Sequence, residues 1–141
     1  MFKKIFKKQK KENLNDKNIL VASLLVHAAK MDENYTDLEK KIIIKALVDL
    51  NNVSKDQAEE LIKDAEKKEK ESNQIIEFTS EIKKYSMEYR LNIIEIIWKI
   101  VYSDGTSDNY ESNLIRRICG LLYVSDKDSG IIKTKVQNSL A

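Results

Sequence analysis

Two short stretches of the sequence carry carboxylates at the same spacing, and these residues are the ones best suited to chemistry. In each stretch six residues separate an aspartate from a glutamate, and the candidate metal ligands are Asp32, Glu39, Asp104, Asp108 and Glu111. Carboxylate and hydroxyl oxygens are the ligands that hard cations such as Ca²⁺ and Mg²⁺ prefer. The pattern therefore predicts a divalent metal ion, Ca²⁺ or Mg²⁺, as the one candidate cofactor.

The same residues also have a structural interpretation, as caps at the starts of helices. Thr36 and Glu39 match the S/T-x-x-E capping box, and Asp108 and Glu111 have the same spacing. Asp104 is followed by glycine, which is typical of a turn, and the stretch after it is shorter than an EF-hand loop and lacks the glycine position of that loop. The capping interpretation is favoured. A metal site requires the two loops to meet, because one loop alone supplies few converging oxygens.

No other residues form a recognisable catalytic centre. His27 is the only histidine, and we predict a core or semi-buried side chain with one hydrogen bond. Cys119 is the only cysteine and lies in an apolar stretch, so it is predicted to be a small buried hydrophobe. Because no catalytic triad or phosphate-binding glycine loop is present, the sequence predicts a protein that is not an enzyme. The alternative is a metal-dependent hydrolase that uses the same carboxylates.

Helices are the elements predicted to hold these residues. The chain of 141 residues has no proline and three glycines, and apolar residues recur at helical spacing behind Ser, Thr and Asp start signals. Seven helices are expected, beginning near Asp16, Thr36, Ser54, Ile75, Ser86, Asp108 and Ser125. The charged run at 63–71 is predicted to be the solvated end of the third helix, with an exposed connection as the alternative.

An internal repeat divides the predicted helices into two halves. At an offset of 72 positions, the apolar helix that ends near residue 30 aligns with the one that ends near 101, and the pair Asp32 and Glu39 falls on Asp104 and Glu111. At an offset of 71, residues 53–56 fall on 124–127, so the next helix start is repeated as well. The sequence predicts an all-α fold of about seven helices, in two pseudo-repeated halves around one core.

The positive charge of the chain lies in its first residues. The first twelve hold six lysines and one glutamate, so they carry +5 and the rest of the chain −3, against a total of +2. We expect a basic tail at 1–14 and a helical domain at 15–141. A helix in the tail would gather its apolar residues on one face and its lysines on the other, the pattern of an interfacial membrane anchor. The candidate membrane-contact residues are Phe2, Lys3, Lys4, Ile5, Phe6, Lys7 and Lys8; a disordered solubilising tail is the alternative.

These features also predict a location. No stretch forms a signal peptide or a run of apolar residues long enough to span a bilayer, and a single cysteine fits a reducing compartment. We therefore expect a cytoplasmic protein, peripheral at the inner membrane if the tail binds anionic lipid. The folded body is net acidic and shows no basic stripe, so nucleic acid is not an expected partner.

The acidic loops resemble those of a known family. Residues 27–32 (HAAKMD) followed by Thr36 and Glu39, and residues 100–105 (IVYSDG) followed by Glu111, are similar to the A-x-x-D-G…E loops of the tellurite-resistance TerB family. The resemblance covers about residues 15–139. One departure is Glu33, which stands where the family usually has glycine, so the first turn must form without the residue that most easily takes positive φ.

The resemblance implies a fold and a function. The fold is a seven-helix domain with pseudo-two-fold character and acidic loops proposed to bind a metal ion. The function is a non-enzymatic interaction module in a stress or metal (tellurite) resistance system, with other stress-response proteins as partners at the inner membrane surface. The wider TerB-like group includes a domain of membrane-anchored DnaJ-like co-chaperones. A co-chaperone-like domain that docks helices is therefore an alternative, and it predicts an exposed apolar groove.

Overall fold

Helices make up all the regular structure in the part of the chain that the structure describes. The computed structural model describes residues 17–30, 35–72, 74–104 and 109–140, with the backbone alone at 104, 109–112 and 140. The elements are α1 (17–29), α2 (Asp37–Asn51), α3 (Lys55–Glu71), α4 (Ile76–Ile82), α5 (Met87–Val101), a 3₁₀ turn (Tyr102–Asp104), α6 (Asn109–Leu121) and α7 (Asp126–Leu140). The predicted all-α class and the seven helices are confirmed.

Four helices begin at the hydroxyl side chains that the sequence indicates. Each hydroxyl oxygen accepts a hydrogen bond from the backbone N–H three residues further on, which satisfies a donor that the first helical turn leaves free. The pairs are Thr36 with Glu39 at 3.1 Å, Ser54 with Gln57 at 3.1 Å, Ser86 with Tyr89 at 3.2 Å and Ser125 with Asp128 at 3.1 Å. Asp108, the predicted cap of α6, lies outside the described residues.

The core is built around α1 and α5, the two apolar helices that the internal repeat aligns. α5 packs against α2, α6 and α7, and its side chains Ile93, Ile94 and Ile97 are fully buried. In α1 every residue from 21 to 26 is buried, so this helix is enclosed on nearly all sides. Full burial of one such aliphatic side chain is worth about 1.5–3 kcal/mol. The side chains of α1 and α5 therefore supply much of the buried apolar surface that stabilises the fold.

α2 and α5 lie side by side and run in opposite directions. The hydroxyl of Tyr89, near the start of α5, donates a hydrogen bond to Oδ1 of Asn51, the last residue of α2, at 2.8 Å. At the other end of the pair, Leu38 of α2 and Tyr102, which follows α5, line a common groove. The start of α2 therefore lies beside the end of α5. The first acidic loop leads into α2 and the second follows α5, so the residues that flank both loops lie at one end of this pair.

Two non-glycine residues in the described chain have positive φ, and they are 71 positions apart. Asn52 follows α2 with φ 52° and Tyr123 follows α6 with φ 57°, and each precedes a Val-Ser pair that starts the next helix. After α6 the N–H of Val124 bonds to the carbonyl of Cys119 at 2.8 Å, the long bond of a Schellman motif. Tyr123 occupies the position where this motif usually has glycine. These are local correspondences, and the arrangement in two halves stays a prediction.

Candidate functional site

Glu69 of α3 holds the residues that precede the first acidic loop. Its Oε2 lies 2.9 Å from Nζ of Lys30, and its Oε1 lies 3.2 Å from Nδ1 of His27. The Glu69 side chain is 13% exposed, so this ion pair is shielded from water more than an ordinary surface pair. His27 is half-buried with this one hydrogen bond among the described residues, which confirms its prediction.

Glu66, one turn earlier in α3, holds the residues that follow the same loop. Its Oε1 accepts a hydrogen bond from the hydroxyl of Tyr35 at 3.3 Å and pairs with Nζ of Lys40 at 3.0 Å. Together with the contacts of Glu69, this places the flanks on both sides of residues 31–34 on one face of α3. The two glutamates fix the position at which the chain enters and leaves the first acidic loop.

The surroundings of Tyr35 show how much negative charge is collected at this point. Burial raises the pKa of the Tyr35 hydroxyl, and the charges of Glu66, Glu39 and Glu69 raise it further. Among the described residues, the ammonium groups of Lys30 and Lys40 pair with Glu69 and Glu66. Acidic side chains are therefore concentrated beside the residues that flank the first acidic loop.

Glu39 performs the structural role that the sequence predicts for it. Its Oε1 accepts hydrogen bonds from the backbone N–H and the hydroxyl of Thr36, both at 3.0 Å, while its own N–H donates to the Thr36 hydroxyl at 3.1 Å. The capping box is therefore confirmed, and the residue is 5% exposed. A ligand role for Glu39 stays a prediction.

The chain is also fixed where it approaches the second acidic loop. The ring of Tyr102 stacks on Trp98, with centroids 5.7 Å apart, and its hydroxyl accepts a hydrogen bond from Nε2 of Gln137 at 2.8 Å. The hydroxyl of Ser103 donates to the carbonyl of Ile100 at 2.6 Å. Because α7 and the end of α5 hold these residues, the starting point of the second loop is set by packing.

The other predicted ligands and the tail cannot be placed by their side chains. Asp32 and Asp108 lie outside the described residues, and Asp104 and Glu111 are described by their helical backbone alone. Within the described ranges no three His, Cys, Asp or Glu side chains come together as a metal site. The tail residues Phe2, Lys3, Lys4, Ile5, Phe6, Lys7 and Lys8 also lie outside these ranges. None of the helices that the structure describes is long and apolar enough to cross a membrane.

An apolar groove lies between α2 and α5, and we call it the α2–α5 groove. It has a volume of about 560 Å³ and begins at the end of the pair that carries the loop flanks. Leu38, at that end, is 54% exposed, an unusual environment for a large aliphatic side chain. The principal apolar lining residues are Leu38, Ile42, Ala46, Leu50, Ile96 and Tyr102. Such a groove is the feature that the helix-docking alternative predicts.

Cys119 has no reactive environment. It is 1% exposed, and burial raises the pKa of its thiol above the usual value. The thiolate is the nucleophilic form of cysteine, and at neutral pH this side chain is held as the thiol. The prediction of a small buried hydrophobe is confirmed.

The charged run at 63–71 is where the sequence-based expectation was wrong in part. Lys63, Lys67 and Lys70 are exposed as expected, but Glu66 and Glu69 are partly buried and carry the contacts described above. A signal was present, because Glu69 continues the helical spacing of the buried stripe at 58, 62 and 65. The helix-docking alternative predicted an exposed apolar groove but not its position between α2 and α5, although α2 has more apolar residues than one buried face requires.

Comparison with known proteins decides the family. The family model described as "Tellurite resistance protein TerB" matches residues 18–134, from the second described residue of α1 into α7. The chain belongs to the TerB family. No curated protein and no solved structure gives a significant match. The TerB match confirms the resemblance seen in the acidic loops, and TerB domains are in general non-catalytic modules.

Proposed function

We propose that this TerB domain is a non-enzymatic interaction module of a stress or metal (tellurite) resistance system, with other stress-response proteins as partners. In this proposal the acidic loops bind one divalent cation, Ca²⁺ or Mg²⁺, and the basic tail contacts the inner membrane surface. One observation carries it: the described residues that flank the two acidic loops lie at the same end of the α2–α5 pair, because the contact of Tyr89 with Asn51 makes the two helices antiparallel.

The common end matters because of the number of oxygens that a hard cation requires. Ca²⁺ takes about six to eight oxygen ligands, which one short loop does not provide. The candidate set combines Asp32 and Glu39 from one loop with Asp104, Asp108 and Glu111 from the other. The carboxylates of Glu66, Glu39 and Glu69 raise the pKa of Tyr35, so acidic side chains are concentrated beside the first loop.

The membrane part of the proposal is supported by where the tail joins the domain. Nζ of Lys17, at the start of the described α1, lies 4.1 Å from the ring centroid of Tyr85 and 4.3 Å from that of Tyr89. Tyr89 marks the end of the α2–α5 pair opposite to the loop flanks. If the tail holds the start of α1 at the bilayer, the described residues that flank the acidic loops lie at the opposite end of the α2–α5 pair, where other proteins can reach them.

Calorimetric titration of the full chain with Ca²⁺ and with Mg²⁺ tests the metal site. We expect saturable binding of one ion, and a loss of affinity of at least tenfold in Asp104→Ala. The matched control is Asp64→Ala, which removes the same charge from an exposed position on α3. The proposal of a metal site is wrong if the unaltered chain gives no saturable heat, or if both variants lose affinity equally.

A further inference from the structure

We propose that the α2–α5 groove binds an amphipathic helix whose apolar stripe is flanked on both sides by acidic residues. The inference rests on the proposed function only in treating the chain as an interaction module, and it requires neither the metal ion nor the membrane. Of the apolar lining, Tyr102 takes part in the loop-flank contacts described above, whereas Leu38, Ile42, Ala46, Leu50 and Ile96 do not.

The shape of the groove suits a helix. Its α2 wall extends from Leu38 to Leu50, which corresponds to about 18 Å of helix, or a little over three turns. The walls are two antiparallel helices whose backbone hydrogen-bonding groups are used within the helices. An extended peptide would therefore find no free strand edge to pair with, whereas a helix can lay an apolar face between the two walls.

The apolar lining gives the ligand its stripe. Ile42, Ala46 and Ile96 lie along the middle of the groove, with Leu38 at one end and Leu50 at the other. Ile42 and Leu50 are only partly buried, so their remaining apolar surface is available to a ligand. A helix with large apolar residues at positions i, i+3 or i+4, and i+7 would cover this surface along its length.

The charges on the walls determine what must flank that stripe. Lys45 stands on the α2 wall and Lys99 on the α5 wall; both are exposed, and neither pairs with a carboxylate in the described chain. Glu95, the acid on the α5 wall, is already neutralised by Lys135 at 2.9 Å. Asp49 is the remaining acid on the lining, toward the end marked by Leu50. Each wall therefore presents one lysine without a carboxylate partner among the described residues, which favours an acidic helix over a basic one.

This charge pattern also argues against the tail of the same chain as the occupant. The tail has apolar residues at Phe2, Ile5 and Phe6, but the residues between and after them are lysines. Placed in the groove, those lysines would face Lys45 and Lys99. The acidic helix is therefore the favoured occupant. The experiment must distinguish it from two alternatives, the tail and a second copy of the chain.

Binding of two designed peptides to the full chain tests the proposal by fluorescence anisotropy. Both are labelled 18-residue helices with leucines in one stripe; one has glutamates flanking the stripe and the other has lysines there. We expect the glutamate peptide to bind at least tenfold more tightly at low salt.

Variants of the groove test where the peptide binds. Ile42→Glu should weaken binding of the glutamate peptide at least tenfold, and the double variant Lys45→Glu, Lys99→Glu should reverse the preference between the peptides. Ile131→Glu, at a 59% exposed position of α7 outside the groove lining, is the matched control and should change neither affinity.

Other outcomes would overturn the proposal. Equal affinities for the two peptides, no binding of either, or no effect of Ile42→Glu would remove the acidic-helix ligand. A dimer in sedimentation equilibrium that Ile42→Glu converts to a monomer would assign the groove to a second copy. If the glutamate peptide binds only after the substitutions Phe2→Ser and Phe6→Ser, the tail of the unaltered chain occupies the groove. Calcium titration of Ile42→Glu separates this proposal from the metal site. If the variant binds calcium as the unaltered chain does but no longer binds the peptide, the substitution has affected the groove alone.

Discussion

The hydroxyl of Tyr89 donates a hydrogen bond to the side-chain oxygen of Asn51, 2.8 Å away, across 38 positions of sequence. This contact joins the end of α2 to the start of α5 and so fixes the antiparallel arrangement on which both proposals depend. Burial raises the pKa of the Tyr89 hydroxyl, with a smaller effect from Tyr85, so this group remains a neutral donor at physiological pH.

Tyr89→Phe should therefore lower the free energy of unfolding by about 1–2 kcal/mol, because it leaves a partly buried amide oxygen without its donor. Urea denaturation followed by circular dichroism measures the change. Tyr102→Phe is the matched control: it removes a hydroxyl that pairs with the exposed Gln137, and a loss below about 0.5 kcal/mol is expected. Equal losses of unfolding free energy in the two variants would show that the hydrogen bond of Tyr89 contributes no more to stability than that of Tyr102.

The ion pair at the first acidic loop provides a second prediction. Glu69→Gln removes the charge that faces Lys30 and His27, and we expect a loss of about 1 kcal/mol that shrinks as salt is added. Glu71→Gln, at an exposed position two residues further along α3, removes the same charge near the same helix end. The difference between the two free energies therefore isolates the ion pair from the helix dipole. A difference near zero at low salt would show that Glu69 does not hold the loop flank.

A third prediction concerns the backbone at Tyr123. Its φ of 57° is costly for an L-residue with a bulky side chain, and 67% of the residue is exposed, so little packing is lost on replacement. Tyr123→Gly should raise the free energy of unfolding by about 0.5–1 kcal/mol, visible as a higher Tm. Asn52→Gly is the control, with a smaller gain expected because asparagine tolerates positive φ better. Destabilisation by Tyr123→Gly would instead indicate that the tyrosine ring stabilises the fold. One such contact is with Lys83, whose Nζ lies 5.9 Å from the ring centroid.

Stability should fall as the solution becomes alkaline. Burial raises the pKa of Cys119, and burial also raises that of Tyr35 and Tyr89, so the folded chain retains protons that the unfolded chain releases. Each group stabilises the fold fully below its ordinary pKa and opposes folding progressively above it, from about pH 8.5 for the cysteine and about pH 10 for the tyrosines. The slope is at most about 1.4 kcal/mol per pH unit for each group. Urea titrations from pH 7 to 10.5 measure it.

Cys119→Ala provides the control for that experiment. The variant is less stable overall because it loses buried volume, but its stability should be nearly flat between about pH 8.5 and 9.5, where the thiol is the first of these three groups to titrate. Native Cys119 should also react slowly with a thiol reagent that labels the unfolded chain at once. Rapid labelling of the folded protein would contradict the burial of this side chain.

The tail gives the fifth prediction. The full chain should sediment with vesicles that contain phosphatidylserine and remain in solution with vesicles of phosphatidylcholine alone, because each lysine near an anionic surface contributes about 1 kcal/mol. Phe2→Ser with Phe6→Ser should weaken binding by removing the apolar face, at unchanged charge. Leu38→Ser with Tyr123→Ser is the matched control, since it removes two exposed apolar residues of the folded domain. If this control weakens binding as much as the tail variant, the membrane contact does not lie in the tail.

Local features of the sequence predicted most of the fold. Caps such as Ser54 and Ser125 act on residues only three positions away, so spacing alone was enough to find the helix starts. The roles of Glu66 and Glu69 depend on partners 26 to 42 positions away, which helical spacing cannot identify. The sequence indicated that Glu69 continues a buried stripe, but not which cations it would meet.

The candidate site was predictable as a set of residue types and not as an arrangement. The repeat made Asp32 and Asp104 equivalent, yet whether the two loops share one end depends on the direction in which α2 packs on α5. That direction is set by contacts such as Tyr89 with Asn51, between residues that the repeat does not relate. The position of the α2–α5 groove was not predicted for a similar reason, because exposed Leu38 and buried Leu47 are indistinguishable by residue type.

The position of Lys17 beside Tyr85 and Tyr89 bears on how the lipid and metal parts of the proposal influence each other. α1 is about 20 Å long in its described part and leads from that point toward the first acidic loop. At physiological ionic strength the potential of a charged leaflet decays over about 8 Å. With the start of α1 at the leaflet and the helix directed away from it, the residues that flank the first acidic loop would lie beyond the reach of that potential. The affinity of the loops for a divalent ion should then be the same in solution and on anionic vesicles, so that membrane composition controls how much protein is bound and leaves its metal occupancy unchanged.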